Sequence, residues 1–125
     1  MVEENDPLTQ TVIGLAIEVH KQLGPGLLES AYEACLCYEL SEKGISFDRQ
    51  VDLPVSYKSI KIGAGYRLDI VVENKLIIEL KTVERILPVH ESQLLTYLKL
   101  SGIRTGLILN FNSAVLKDGI RRLVN

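Results

Sequence analysis

Two strand-like segments that carry charged residues in otherwise apolar runs constrain this chain more than any other feature. The first covers residues 66–72 and contains Asp69, and the second covers residues 76–81 and contains Glu79 and Lys81. Because side chains alternate between the two faces of a strand, Glu79 and Lys81 point to the same side. The pattern predicts two adjacent β-strands that bring two acids and a lysine into one half-buried site.

The turn between the two segments decides whether the two carboxylates meet. A three-residue loop at residues 73–75, or a bulge, places Asp69 directly opposite Glu79. A two-residue turn at residues 74–75 would instead pair Asp69 with Leu80 and turn the two carboxylates to opposite faces of the sheet. An acidic site on this sheet therefore requires the first register, and the sequence leaves both registers open.

Two carboxylates a few ångströms apart repel each other strongly in a half-buried site unless a cation neutralises them. Mg²⁺ suits such a site, because it takes oxygen ligands and keeps several waters. Lys81, on the same face as Glu79, would then hold a phosphate oxygen or orient a water. The alternative interpretation is a salt-bridged pair on a solvated strand face.

Length and composition indicate one globular domain, covering residues 1–125, with a substantial apolar core. The chain carries 14 basic and 16 acidic residues, for a net charge of −2, and has no basic cluster. This balance disfavours a tight, non-specific DNA-binding protein but is compatible with a nuclease, whose site stays negative until metal binds. The hydrophobic content of 46% is also compatible with a homodimer.

The few cysteines and histidines limit the cofactors that this chain would use. Cys35 and Cys37 are too few for an iron–sulfur cluster and are expected to be reduced thiols. His20 and His90 have no third ligand nearby, which disfavours zinc. Residues 1–6 lack the apolar stretch of a signal peptide, and no segment has membrane-spanning length. We therefore expect a cytoplasmic protein with no membrane association.

The order of predicted elements is two helices, three antiparallel strands, a helix, a strand and a closing helix. We predict helices at residues 7–23, 28–43, 89–100 and 114–123, strands at 45–57, 66–72, 76–81 and 104–111, and a further short strand and turn at 58–65. A strand meander followed by a helix crossover to a buried strand predicts an α/β fold or α+β sandwich, with a mixed sheet and helices on both faces.

Three more polar residues are candidates for the same site. Glu29 begins the second helix, where an acid is favoured by the helix dipole alone but would also project toward the sheet edge. Gln93 and Tyr97 are four residues apart and share one face of the third helix. That face is suited to a polar contact with substrate or with the lysine, although a half-exposed helix would show the same spacing.

This combination of residues resembles the PD-(D/E)XK nuclease superfamily. Asp69 followed by Glu79-x-Lys81 on neighbouring strands, with an acid on a preceding helix, is similar to the motif that gives the superfamily its name. The spacing Gln93-x-x-x-Tyr97 is similar to that of its RecB-like exonuclease branch. Both likenesses concern residues that the predicted strands and helices bring together.

A closer resemblance is to the bacterial GxxExxY proteins of that superfamily. It rests on Gly26-x-x-Glu29-x-x-Tyr32 and on the runs at residues 19–26 and 106–111, and it extends over residues 12–123. The residue before Asp69 departs from the pattern, since Leu68 stands where the eponymous motif has proline.

The resemblance implies a restriction-endonuclease-like core and a metal-dependent phosphodiesterase that hydrolyses DNA or RNA with a Mg²⁺-activated water. The implied cofactor is Mg²⁺ or Mn²⁺, and the implied partner is nucleic acid, with DNA favoured over RNA. The implied metal ligands are Asp69, Glu79 and Glu29, the implied catalytic lysine is Lys81, and the implied supporting pair is Gln93 and Tyr97. The alternative is a non-catalytic nucleic-acid-binding or regulatory module that retains the nuclease fold.

Overall fold

The computed structural model describes residues 6–125, apart from the side chain of Ala64. Residues 1–5, which contribute to the prediction that the chain has no signal peptide, lie outside the described part. The elements are α1 (Pro7–Leu23), α2 (Glu29–Glu42), β1 (Phe47–Tyr57), β2 (Ile60–Val72), β3 (Leu76–Lys81), α3 (Pro88–Ser101), β4 (Thr105–Asn110), a 3₁₀ helix (Leu116–Gly119) and β5 (Ile120–Val124). Among the described helices, none combines the length and the apolar character needed to cross a bilayer.

The five strands form one mixed sheet in the order β1-β2-β3-β4-β5. Strands β1, β2 and β3 make an antiparallel meander, β4 is parallel to β3, and β5 is antiparallel to β4. Helix α3 forms the crossover between β3 and β4, because parallel neighbours need a connection long enough to return to the start of the next strand. The predicted α+β fold with a mixed sheet and an antiparallel meander is confirmed.

Each face of the sheet is covered by helices and has its own core. Helices α1 and α2 pack on one face, against side chains that include Ile70, Ile78 and Leu109. Helix α3 packs on the other face, against side chains that include Ile77 and Ile108. Neighbouring residues of β3 and β4 therefore point into different cores, which explains why both strands read as continuous apolar runs.

The predicted closing helix at residues 114–123 is wrong. The chain forms the 3₁₀ helix and then β5, which pairs with β4. Ile120 packs against the core under α1 and α2, whereas Leu123 packs against the core under α3. A spacing of three puts the two side chains on opposite faces of a strand but on the same face of a helix, so only a strand serves both cores. Gly119 allows the turn, since a Cβ there would lie 2.7 Å from the Asn110 carbonyl oxygen.

The β1–β2 hairpin is longer than predicted. Residues 58–65 do not form a separate short strand, because β2 runs without interruption from Ile60 to Val72. Only residues 70–72 of β2 pair with β3, while β1 pairs with β2 as far as Tyr57 and Ile60. The outer part of the hairpin therefore extends beyond β3 and adjoins the end of the sheet where the charged residues lie.

Candidate active site

The turn between β2 and β3 has the register that brings the two strand acids together. Ile70 pairs with Ile78 and Val72 pairs with Leu76, around a three-residue loop at residues 73–75. The first two loop residues have φ values of 50° and 55°, the left-handed conformation that such a tight loop requires. Continuing this register by one residue sets Asp69 opposite Glu79, and the two-residue turn is excluded.

Asp69 and Glu79 are held by backbone donors of each other's strands. The Leu80 N–H donates to Asp69 Oδ2 at 2.8 Å, and the Asp69 N–H donates to Glu79 Oε2 at 3.2 Å. Within residues 6–125 the second oxygen of each carboxylate has no hydrogen-bond donor, and neither is a buried unsatisfied atom. The strands therefore fix one oxygen of each acid and leave the other accessible to a ligand.

The proximity and burial of the two acids make both reluctant to ionise. Glu79 is 7% exposed, and burial followed by the charge of Asp69 raises its pKa to about 8, although the Asp69 N–H and Lys81 oppose the shift. Burial also raises the pKa of Asp69, against the hydrogen bond from the Leu80 N–H. Without a cation, the site therefore disfavours two negative charges on this pair.

Lys81 and Glu29 lie near the pair and act on it through their charges. Lys81 is partly buried at the end of β3, and its ammonium lowers the pKa of both Asp69 and Glu79. Glu29 is exposed in the first turn of α2, and its charge raises the pKa of both acids. The fold therefore brings together the acid of α2 and the three charged residues of β2 and β3.

Glu33, which the sequence analysis did not single out, is a further acid of this region. It lies one helical turn after Glu29, is 6% exposed, and its charge raises the pKa of Asp69. Its carboxylate accepts hydrogen bonds of 2.9 Å from Arg49 Nε and from Gln50 Nε2. The one available signal was its spacing of four from Glu29, which puts both acids on one face of α2.

Gln93 and Tyr97 approach the site from α3. Tyr97 is 5% exposed, and burial followed by the charge of Glu79 raises the pKa of its phenol to about 12. The Gln93 side chain forms a hydrogen bond with this phenol, which opposes the shift. The Tyr66 ring of β2 packs near Tyr97, with centroids 5.6 Å apart. Tyr66 had no predicted role, although it stands three residues before Asp69.

The tyrosine of the Gly26-x-x-Glu29-x-x-Tyr32 segment holds the loop that precedes α2. Its hydroxyl donates to the Gly24 carbonyl oxygen at 2.5 Å and accepts from the Leu27 N–H at 3.1 Å. Its ring stacks on Phe111 with centroids 4.5 Å apart. These contacts fix where α2 begins, and so where Glu29 stands relative to the sheet.

Both histidines bind backbone groups. His20 Nε2 lies 2.8 Å from the Ser113 carbonyl oxygen, and His90 Nδ1 accepts from the Leu87 N–H at 2.9 Å. These bonds fasten one loop to α1 and cap the start of α3, so a structural role accounts for both side chains.

The carboxylates suit a hard divalent cation with two protein ligands. Over residues 6–125, no group of three or more His, Cys, Asp or Glu side chains is arranged to hold a metal ion. Asp69 and Glu79 nevertheless offer two accessible oxygens and a like-charge repulsion that a cation would relieve. Mg²⁺ commonly binds one or two carboxylates and completes its octahedron with waters and substrate phosphate. The donor set therefore fits Mg²⁺, and the role of Glu29 as a third ligand stays a prediction.

An α+β fold whose mixed sheet presents two acids and a lysine on adjacent strands, flanked by an acid-bearing helix, defines a nuclease-type domain. The chain belongs to the PD-(D/E)XK nuclease superfamily, whose family model matches residues 6–123. Comparisons with curated proteins and with solved structures found no significant match. The closer assignment to the GxxExxY proteins stays a prediction.

Proposed function

We propose that this protein is a metal-dependent phosphodiesterase that hydrolyses nucleic acid. The observation that carries the proposal is the pairing of Asp69 and Glu79. Each carboxylate accepts a hydrogen bond from a backbone N–H of the other strand, and the charge of Asp69 helps to raise the pKa of Glu79. A protein gains nothing in stability from two buried like charges, and perturbed carboxylates of this kind cluster at functional sites. Superfamily membership supports the nuclease interpretation.

The proposed cofactor is Mg²⁺ or Mn²⁺. Asp69 and Glu79 would hold the ion through their accessible oxygens, and Glu29 would serve as a third acid. The bound ion would supply Lewis-acid stabilisation of the charge that develops on the phosphoryl oxygens. For this to occur Glu79 must lose its proton, since the metal ligand is the carboxylate.

The remaining residues position the substrate and the water. We assign to Lys81 Nζ a hydrogen bond to a phosphate oxygen and the orientation of the attacking water. Within residues 6–125 no ion pair engages Lys81, so its ammonium is available for this role. Gln93 and Tyr97 are proposed to support the site from α3, where the buried phenol lies near Glu79.

Cleavage assays test the catalytic proposal. Linear, circular, single-stranded and branched DNA would be incubated with the protein and Mg²⁺ or Mn²⁺, with RNA of the same sequence as comparison, since DNA is the substrate that we propose. We expect metal-dependent products that Lys81→Ala abolishes and that Lys99→Ala, at an exposed position on α3, leaves unchanged. Cleavage that persists in Lys81→Ala would show that the role given to this lysine is incorrect.

A binding measurement tests the metal site separately. Calorimetric titration with Mg²⁺ or Mn²⁺ should show binding to the wild type, and Asp69→Asn should abolish it while retaining an oxygen acceptor for the Leu80 N–H. Asp48→Asn, at an exposed position of β1, is the matched control. Absence of both metal binding and cleavage would favour the alternative, a nucleic-acid-binding or regulatory module without catalysis.

We further propose a cytoplasmic location. Cys35 and Cys37 are both free thiols in the structure, which is the state expected in a reducing compartment.

A further inference from the structure

A small cavity lies between α3 and the part of β2 that extends beyond its pairing with β3. Its volume is about 240 Å³, and it is lined by Tyr66, Val89, Ser92, Gln93, Thr96 and Tyr97. One of its walls, Tyr97, interacts electrostatically with Glu79 and Asp69. A group seated in this cavity would therefore contact the tyrosine that α3 contributes to the proposed active site.

The cavity has an aromatic wall that faces solvent. Tyr66 is 48% exposed, although its ring packs at 5.6 Å and 47° against the buried ring of Tyr97. The contact with Tyr97 positions the Tyr66 ring, while nearly half of the Tyr66 surface stays exposed. A free aromatic face held against a rigid neighbour is suited to stacking with a flat ligand, because little side-chain freedom is lost on binding.

Polar groups on α3 border the same space. The Gln93 carboxamide carries both donors and an acceptor, and Ser92 adds a hydroxyl. Thr96 already donates to the Ser92 carbonyl oxygen at 3.1 Å, which fixes the helical turn that presents these groups. An aromatic wall combined with amide and hydroxyl groups matches the flat faces and polar edge of a nucleobase.

We propose that this cavity receives an unpaired nucleobase, so that the substrate is nucleic acid with a single-stranded segment at the cleavage site. The inference rests on the proposed function and specifies its substrate. A base inside a duplex is stacked on both faces and paired along its edge, so it cannot enter without being flipped out at a cost. A base in a single strand needs no such step.

The charge of the projecting hairpin favours the same ligand. Between residues 51 and 68 it carries the basic residues Lys58, Lys61 and Arg67 and one acidic residue, Asp52, within a chain of net charge −2. Asp52 pairs with Arg67 at 3.4 Å, which leaves an excess of positive charge toward the tip. Sites that bind single strands usually combine aromatic stacking with positive charge along the path of the backbone, and the hairpin supplies that charge at a distance from Tyr66.

Equilibrium binding tests the proposal independently of cleavage. In an Asp69→Asn background with Mg²⁺ present, fluorescence anisotropy would compare a labelled single-stranded DNA, an RNA of the same sequence and a blunt DNA duplex. We expect the single strands to bind more tightly than the duplex, and Tyr66→Ala to weaken single-strand binding by about fivefold to a hundredfold. Tyr66→Phe should retain the affinity because it keeps the stacking ring.

Two further variants keep the result interpretable. Tyr38→Ala removes a tyrosine of comparable exposure, 61%, on α2, which packs on the other face of the sheet, and should leave binding unchanged. Ser92→Leu would fill the cavity without deleting the ring and should reproduce the loss, which covers the case that Tyr66→Ala does not fold.

Equal affinity for duplex and single strand, or an affinity unaffected by both Tyr66→Ala and Ser92→Leu, would overturn the proposal. Other outcomes distinguish a failure of this proposal from a failure of the proposed nuclease function. Metal-dependent cleavage of duplex that is insensitive to Tyr66→Ala would retain the nuclease and reject the base cavity. Base-dependent binding without any cleavage by the wild type would support the base cavity and reject the nuclease activity.

Discussion

The raised pKa of Glu79 predicts that the metal-free protein becomes less stable as pH rises. Its folded-state pKa is about 8, against an ordinary value of 4.5, so the folded state retains a proton that the unfolded state has already released. Stability falls with pH wherever the folded state binds more protons. At about 1.4 kcal/mol per pKa unit, the free energy of unfolding should fall by roughly 3 kcal/mol between pH 5 and pH 8 on account of this group.

Replacing Glu79 with Gln removes the titrating group but keeps an oxygen that can accept from the Asp69 N–H. The free energies of unfolding of wild type and Glu79→Gln would be measured by urea denaturation, in the presence of a chelator, at pH 5 and pH 8. We expect their difference to shift by roughly 3 kcal/mol in favour of the variant at pH 8, which is a large part of a typical total stability. Glu84→Gln, at an exposed position after β3, should show no such pH-dependent difference.

Metal should reverse the effect in the wild type alone. At pH 8, Mg²⁺ at a hundredfold excess over its dissociation constant should restore about 3 kcal/mol to the wild type and little to Glu79→Gln. If the difference between the two proteins varied by less than about 0.5 kcal/mol from pH 5 to pH 8, the size of a neutral surface substitution, the burial argument for Glu79 would be refuted.

Three further predictions concern the frame around the site. Tyr32→Phe should lower the free energy of unfolding by about 0.5–1.5 kcal/mol in urea denaturation, because the hydrogen bonds of the Tyr32 hydroxyl with the Leu27 N–H and the Gly24 carbonyl oxygen are lost. Gly119→Ala should lower the thermal midpoint, with a cost of about 1–3 kcal/mol, since the added methyl meets backbone that cannot move aside. Arg49→Ala should cost about 1–3 kcal/mol at pH 7, because it leaves the buried Glu33 carboxylate without its cation; urea denaturation would measure this.

Two registers of the β2–β3 hairpin could be derived from the sequence, and the chemistry of an acidic site favoured one of them, whereas the end of the chain could not be derived. Alternation along two strands, together with the requirement that Asp69 and Glu79 meet, predicted the three-residue loop that the structure has. In residues 114–123 the apolar side chains are too few to separate a helical period from a strand period. The tertiary environment determines that this segment forms a strand, because Ile120 and Leu123 pack into cores on opposite sides of the sheet.

Glu33 shows why part of the site could not be predicted from the sequence. A glutamate in the middle of a helix is usually solvated, and the spacing of four from Glu29 indicates a shared helix face but not burial. Its burial depends on Arg49 and Gln50, which arrive from β1 some 16 or 17 residues later in the chain. The pairing is a property of how α2 packs against β1, and local sequence patterns carry no information about it.

The way the acids are held explains how Lys81 stays available. Where an acid and a lysine lie on one strand face, the simplest way to offset the buried charge is an ion pair between them, and such a pair would engage the ammonium. Here the backbone N–H groups of Leu80 and Asp69 bind the carboxylates instead, and no ion pair among residues 6–125 involves Lys81. The sheet therefore fixes the geometry of Asp69 and Glu79 with groups that cannot move, and the lysine remains free to meet an anionic substrate.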